Sequence, residues 1–242
     1  MKLKSRIVVA SIGLVALGFG LPSFGQGTPV SVSITGVSGD PIVTVGGEEV
    51  YAGVYGGIST LAGANPGIIC DDFNDEVYVP ETWTATAYQV STLGTTTPIS
   101  DVLFGGSYTS HGYTNVGIAG YAELAYLVNQ MVSTTNTATQ GDLSEAIWSI
   151  TDPGLSGVDT NAQNFVSAAQ TYASSTHDSM SQYSNLWVYT PSPNTGEPGE
   201  AQEMWGSVPE GGAAALYLLL AAACFFAAVL FRSSRHSQRD IA

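Results

Sequence analysis

Between Ile7 and Phe231 the chain has no lysine and no arginine, yet it carries 19 of its 20 acidic residues there, Asp240 being the other. A body of that kind has no Lys or Arg salt bridges. It cannot neutralise phosphates by releasing their counterions, which excludes direct binding to nucleic acid or to an anionic membrane surface. Schiff-base chemistry, P-loop phosphate binding and lysine isopeptide cross-links are excluded for lack of the residue. Charged residues make up 11% of the chain, against about 25% in an ordinary soluble protein.

The six basic residues sit at the two ends, and both ends are patterned for a membrane. Lys2, Lys4 and Arg6 precede the apolar run Ile7 to Leu21, and Pro22-Ser23-Phe24-Gly25 places small residues at the last and third-last positions. This is the layout of a secretory signal peptide over residues 1–25. An N-terminal anchor fits less well, because Gly13, Gly18 and Gly20 weaken the run. At the other end Ala213 to Phe231 contains no charge; at about 1.5 Å per residue it spans a hydrocarbon core as a transmembrane helix. Arg232, Arg235 and Arg239 follow, so the positive-inside rule leaves the body outside and residues 232–242 as a cytoplasmic tail.

Val208-Pro209-Glu210 stands immediately before the apolar segment. A short Pro-Glu motif, a span and a basic cluster together resemble the PEP-CTERM sorting signal of exported bacterial proteins. Gly211 stands where the common form has a second proline. The resemblance implies a partner, an exosortase-type membrane protease, that cuts near the motif and releases the body to the cell surface or an exopolysaccharide matrix. A plain single-span anchor is the competing reading.

Thr190 to Gly212 is rich in Pro, Gly, Glu and Ser and reads as a stalk over residues 190–212. That leaves one domain, residues 26–189, large enough to fold without disulfides. Cys70 and Cys224, the only cysteines, are placed where they cannot pair. Alternation at Val30, Val32 and Ile34 predicts a strand, as do short runs at 42–45, 49–54, 67–71 and 83–90. Apolar spacing of three and four predicts a helix over 116–132. Asp142-Leu143-Ser144-Glu145 reads as the cap of a second helix, and Asp159 or Thr160 as the cap of a third. A last strand is expected at 186–189. The order predicts an α+β fold, with a β-rich sandwich or barrel-like part and a segregated helical part.

Ile69-Cys70-Asp71-Asp72-Phe73, together with Ser144-Glu145-Ala146-Ile147-Trp148, resembles the thioester domains of bacterial surface adhesins. The resemblance implies a covalent adhesin in which a Cys thiol is acylated by a Gln side chain and an amine then captures the acyl group. It also implies a Gln four residues before the Trp, where this chain has Ser144. Serine has no amide to condense. Gln140, one turn earlier, would serve only if the helix began ahead of its Asp142 cap. Read from its residues alone, Cys70 is a buried small residue packed against Trp148, with a reactive or intermolecular thiol as the alternative.

Asp71, Asp72, Asp75 and Glu76 form the densest acidic patch, a weak Ca²⁺ candidate without the glycine and spacing of an EF-hand; a solvated charged turn is the ordinary reading. His111, His177 and His236 are too scattered for zinc, and neither metal nor other cofactor is expected. There is no Gly-x-Ser-x-Gly elbow, no triad and no carboxylate dyad set apart by spacing, so the chain does not read as an enzyme. Tyr51, Tyr55, Tyr108, Tyr113, Trp83 and Trp187, set among small polar residues, are candidates for contacting surface glycans or exopolysaccharide. The combined expectation is an exported surface or matrix protein with a structural or adhesive role, with a thioester adhesin and a polysaccharide-binding or -processing protein as alternatives.

Overall fold

The computed structural model describes residues 27–61, 64, 67–75, 77–109, 113–177, 179–192, 201–208 and 224. The expected signal peptide, the span at 213–231 except for residue 224, the basic tail, Glu76, Pro209 and Glu210 lie outside them, as do His111 and His236. Among the described residues no helix is long and apolar enough to cross a membrane.

Among the described residues, eight strands and three α-helices build an α+β fold. Their order is β1 (Thr28–Gly36), β2 (Ile42–Val45), β3 (Glu48–Tyr51), β4 (Gly56–Ser59), β5 (Ile69–Cys70), β6 (Glu81–Gln89), α1 (Gly117–Ser133), α2 (Thr137–Thr151), α3 (Thr160–Ser175), β7 (Leu186–Pro191) and β8 (Met204–Ser207). Six strands pair in the order β4-β1-β6-β7-β8-β5, every pair antiparallel. The sheet curls into a half-barrel whose two edges meet: Tyr55 and Ile68 exchange backbone hydrogen bonds of 2.8 and 3.0 Å, and the Gly67 N–H donates to the Gly57 carbonyl at 2.8 Å. β2 and β3 form a separate hairpin.

Strand alternation sorts the apolar side chains into two cores. Val30, Val32, Ile34, Cys70, Trp187, Tyr189 and Met204 fill the concave side of the curl. Ile69, Leu186, Val188 and Trp205 point the other way, into the larger core formed with the three helices. β7 is therefore covered on both faces, and all six of its residues are buried. Gly206 lies where a Cβ would come within 2.7 Å of the Tyr189 ring, so β8 can pass this aromatic only with glycine there.

Two expectations are corrected. The stalk does not begin at residue 190: β7 continues to Pro191, and β8 lies between β7 and β5, with Glu203, Met204 and Trp205 at 0% exposure. The large apolar pair Met204-Trp205 pulls this stretch into the sheet despite its polar, Pro-rich flanks. The second helix starts before Asp142, because Asn136 caps it by accepting the Thr139 N–H at 3.1 Å. Glu145 then reaches forward instead of back, accepting the Asp159 N–H at 2.7 Å. Asp159 caps α3 as expected, accepting the Asn161 N–H.

Candidate functional site

Cys70 ends β5, and Gln202 lies two residues ahead of its ladder partner Met204 on β8. Alternation brings both side chains to the concave face as diagonal neighbours, a separation that long side chains bridge. The Cys70 Sγ is 3.0 Å from the Gln202 Oε1 across 132 residues of chain. Cys70 is 3% and Gln202 6% exposed. The Gln202 Nε2 donates to the Asp72 carbonyl at 2.9 Å and to the Asp75 carbonyl, which fixes the amide with its oxygen towards the thiol. The thiol has a second acceptor, the Asp72 carbonyl at 2.9 Å, while the Asp72 N–H donates to the sulfur at 3.3 Å.

The pair opens on a cavity of about 350 Å³. Tyr55, Phe73 and Trp148 wall it beside Asp72, and the exposed residues Glu48, Glu49 and Tyr51 of β3 stand at its rim. A small molecule or an extended side chain can therefore reach a sulfur that is closed to bulk solvent.

Burial pushes the Cys70 thiol well up from its ordinary range, and the carboxyl groups of Asp72 and Asp71 push it further; the hydrogen bond from the Asp72 backbone works weakly against this. Such a sulfur is not a ready thiolate of the redox or disulfide-exchanging kind. Its chemistry depends on what is held beside it, which is a carboxamide carbon. Attack of Sγ on the Gln202 Cδ with departure of ammonia gives an internal thioester, an acyl group that an entering amine can take up.

The acidic patch is not a solvated turn. Asp71, Asp72 and Asp75 are 0%, 1% and 4% exposed. Asp71 faces the helical core and accepts the Trp205 indole N–H at 2.6 Å. Asp72 turns towards the cavity, its Oδ1 accepting the Asn74 N–H at 3.0 Å and the Asp75 N–H at 3.4 Å. The Asp75 carboxylate accepts the Tyr113 hydroxyl. Glu203 is buried on the helical side, where Leu103 N, the Thr190 hydroxyl and the Tyr121 hydroxyl all donate to it. With no Lys or Arg nearby, burial pushes Asp71, Asp72 and Glu203 above the usual carboxylate range; Glu203 adds to the effect on Asp71, and Asp75 to that on Asp72. Among the described residues no group of three or more His, Cys, Asp or Glu is disposed to hold a metal ion.

Ser144 is engaged elsewhere, its Oγ accepting the Gly53 N–H at 2.8 Å. Gln140 lies within α2, as the earlier helix start allows, but its Nε2 is spent on the Thr134 carbonyl at 3.0 Å. The residue beside Cys70 is thus Gln202, which lies within the stretch expected to be a stalk. Ser144→Ala is expected to cost about 1 to 3 kcal/mol by orphaning the buried Gly53 N–H, while intact mass finds Cys70 and Gln202 in the same bonding state as in the wild type. The glycan candidates do not form a platform: Tyr55 and Trp187 are buried, Trp83, Tyr108 and Tyr113 are half-buried, and Tyr51 alone is exposed. His177 is exposed. Val208 packs against the concave core and donates its N–H to the Asn185 carbonyl at 2.8 Å, so the expected sorting motif starts where the sheet ends.

In comparisons with known proteins, no family model, curated protein or solved structure matches the chain.

Proposed function

We propose that the chain is an exported bacterial surface or matrix protein whose folded body carries an internal thioester between Cys70 and Gln202, through which it attaches covalently to an amine on a partner molecule. The observation that carries this reading is the 3.0 Å approach of a buried thiol to a buried, doubly anchored carboxamide at the base of an open cavity. A buried cysteine that served packing alone would need only apolar neighbours; this one faces the single kind of side chain that can acylate it with loss of ammonia. The protein is then an adhesive component that reacts once and not an enzyme that turns over. Export and sorting rest on the sequence pattern at the two ends, with Val208-Pro209-Glu210 as the motif for an exosortase-type protease and Arg232, Arg235 and Arg239 as the cytoplasmic stop.

Intact mass of the mature protein from its native cells, with and without methylamine, tests both halves. The expected result is loss of residues 1–25 and of everything beyond about Glu210, a mass short by one ammonia, and a methylamine adduct that peptide mapping assigns to Gln202. A full mass with Cys70 alkylated on unfolding removes the thioester and leaves a structural surface protein. A retained span makes the tail a plain anchor.

A further inference from the structure

We propose that the Asp72 carboxyl group transfers the protons of the Cys70–Gln202 reaction, a role that rests on the thioester reading above. The Asp72 backbone bonds to both reacting side chains. Its N–H meets the sulfur at 3.3 Å, and its carbonyl lies 2.9 Å from both the sulfur and the Gln202 Nε2. Its side chain is buried and lines the same cavity as Cys70 and Gln202. One carboxyl oxygen is held by the Asn74 and Asp75 N–H groups; the other, Oδ2, is buried and receives no donor. A buried oxygen without a donor is costly unless it carries a proton or serves a reaction.

The reaction needs such a group at two points. The thiol must lose a proton to attack, and its surroundings hold that proton tightly. The amide nitrogen must gain one to leave, because an amide anion is not expelled. No His, Lys or Arg lines the cavity. Glu48 and Glu49 stand at the exposed rim, and Asp75 is bound by the Tyr113 hydroxyl. Asp72 lines the same cavity as both groups, and burial, with Asp75 beside it, raises its hold on a proton above that of an exposed carboxyl, which suits it to both transfers. As Sγ bonds to the Gln202 Cδ, the Asp72 carboxyl gives its proton to Nε2 and takes the thiol proton in its place; the Cδ–Nε2 bond then breaks and the nitrogen leaves as ammonia. Thiol plus carboxamide becomes thioester plus ammonia, and Asp72 ends as it began. When an amine opens the thioester, the same carboxyl takes the amine proton and returns one to the sulfur.

Closure can be timed by opening the protein with ammonium, which restores Gln202 and the free thiol, desalting it, and following ammonia loss by intact mass. Asp72→Asn keeps an oxygen for Asn74 and Asp75 and loses the acid. It is expected to close at least about 100-fold more slowly than wild type, the usual worth of a positioned acid-base group, with Cys70 still shielded from alkylation in the folded state. In Asp72→Ala, which leaves a carboxyl-sized space, buffered formate is expected to accelerate closure in proportion to its concentration, and chloride at equal ionic strength is not. Asp72→Asn closing within about threefold of wild type overturns the proposal, as does slow closure of Asp72→Ala that formate leaves unchanged. Wild type that never loses ammonia defeats the thioester reading itself, an outcome seen without any variant.

Discussion

Opening the thioester with methylamine is expected to lower the melting temperature of the folded domain by about 10 °C or more. The proposed bond would join residues 132 apart in sequence, and a cross-link closing a loop of that size removes up to about 5 kcal/mol of chain entropy from the unfolded state. For a domain of this length each kcal/mol moves the midpoint by about 2 to 4 °C. The position of the bond strengthens the case. β5 is two residues long and pairs with β8 only through Ile69 with Trp205 and Cys70 with Met204; an acyl bond between Cys70 and Gln202 would sit one diagonal step further along the same pair of strands and clamp that edge. Aminolysis of the site would therefore report on the fold as well as on attachment. Cys70→Ser gives the control, because it keeps the side-chain size and cannot form the bond: its midpoint should lie near that of the opened wild type and stay still when methylamine is added. A wild-type adduct with an unchanged midpoint would show that the bond is made without restraining the chain.

Much of the fold could be read from the sequence because it depends on local periodicity. The alternation of Val30, Val32 and Ile34 and the three-and-four spacing through Tyr121, Leu124, Val128 and Met131 are each visible within one element, and β1 and α1 lie where they predict. The Cys70–Gln202 pair is half legible in the sequence. Cys70 stood out by its place after an apolar residue at a strand end, but its partner lies on a strand of four residues, one of them glycine, inside a stretch whose Pro, Gly and Glu content resembles a stalk. The signal that was present is the two-residue alternation of Gln202, Met204 and Gly206 against Glu203 and Trp205, with two large apolar side chains where a solvated linker has no use for them. The helix motif around Trp148 points to Ser144, yet what Trp148 supplies is a wall of the cavity. The charge of Asp71, Asp72 and Asp75 suggested solvent exposure. Their burial depends on donors from Trp205, Asn74 and Tyr113, and two of these are distant in sequence and become neighbours only when the sheet closes.

Those buried acids lead to the other large effect: the domain is expected to become more stable on acidification, with a melting temperature at pH 5 above that at pH 7.5 by at least about 3 °C. Proteins that are destabilised by acid lose carboxylates whose pKa folding had depressed, usually through cationic partners. Here the stretch from 7 to 231 has no Lys or Arg. Burial raises Asp71, Asp72 and Glu203, and neighbouring carboxyl groups raise the first two further. A carboxyl whose folded pKa is raised binds its proton more tightly in the native state than in the unfolded chain. Its contribution is fully present below the unfolded value of about 4, and is lost as pH rises from there through the raised folded value. Stability therefore falls as pH rises above about 4 through the raised folded values, and each unit of displacement is worth about 1.4 kcal/mol. Self-repulsion among 19 acids acts in the same direction. Asp71→Asn isolates the buried contribution: an amide keeps an oxygen for the Trp205 indole N–H and places no charge beside Glu203. The variant should melt higher than wild type at pH 7.5 and gain less on acidification. Thermal melts of both proteins across pH 4.5 to 8 decide the matter, and a wild-type midpoint that falls steadily as the pH is lowered from 7.5 to 5 would mean that depressed carboxylates, not buried protonated ones, govern the electrostatics of this fold.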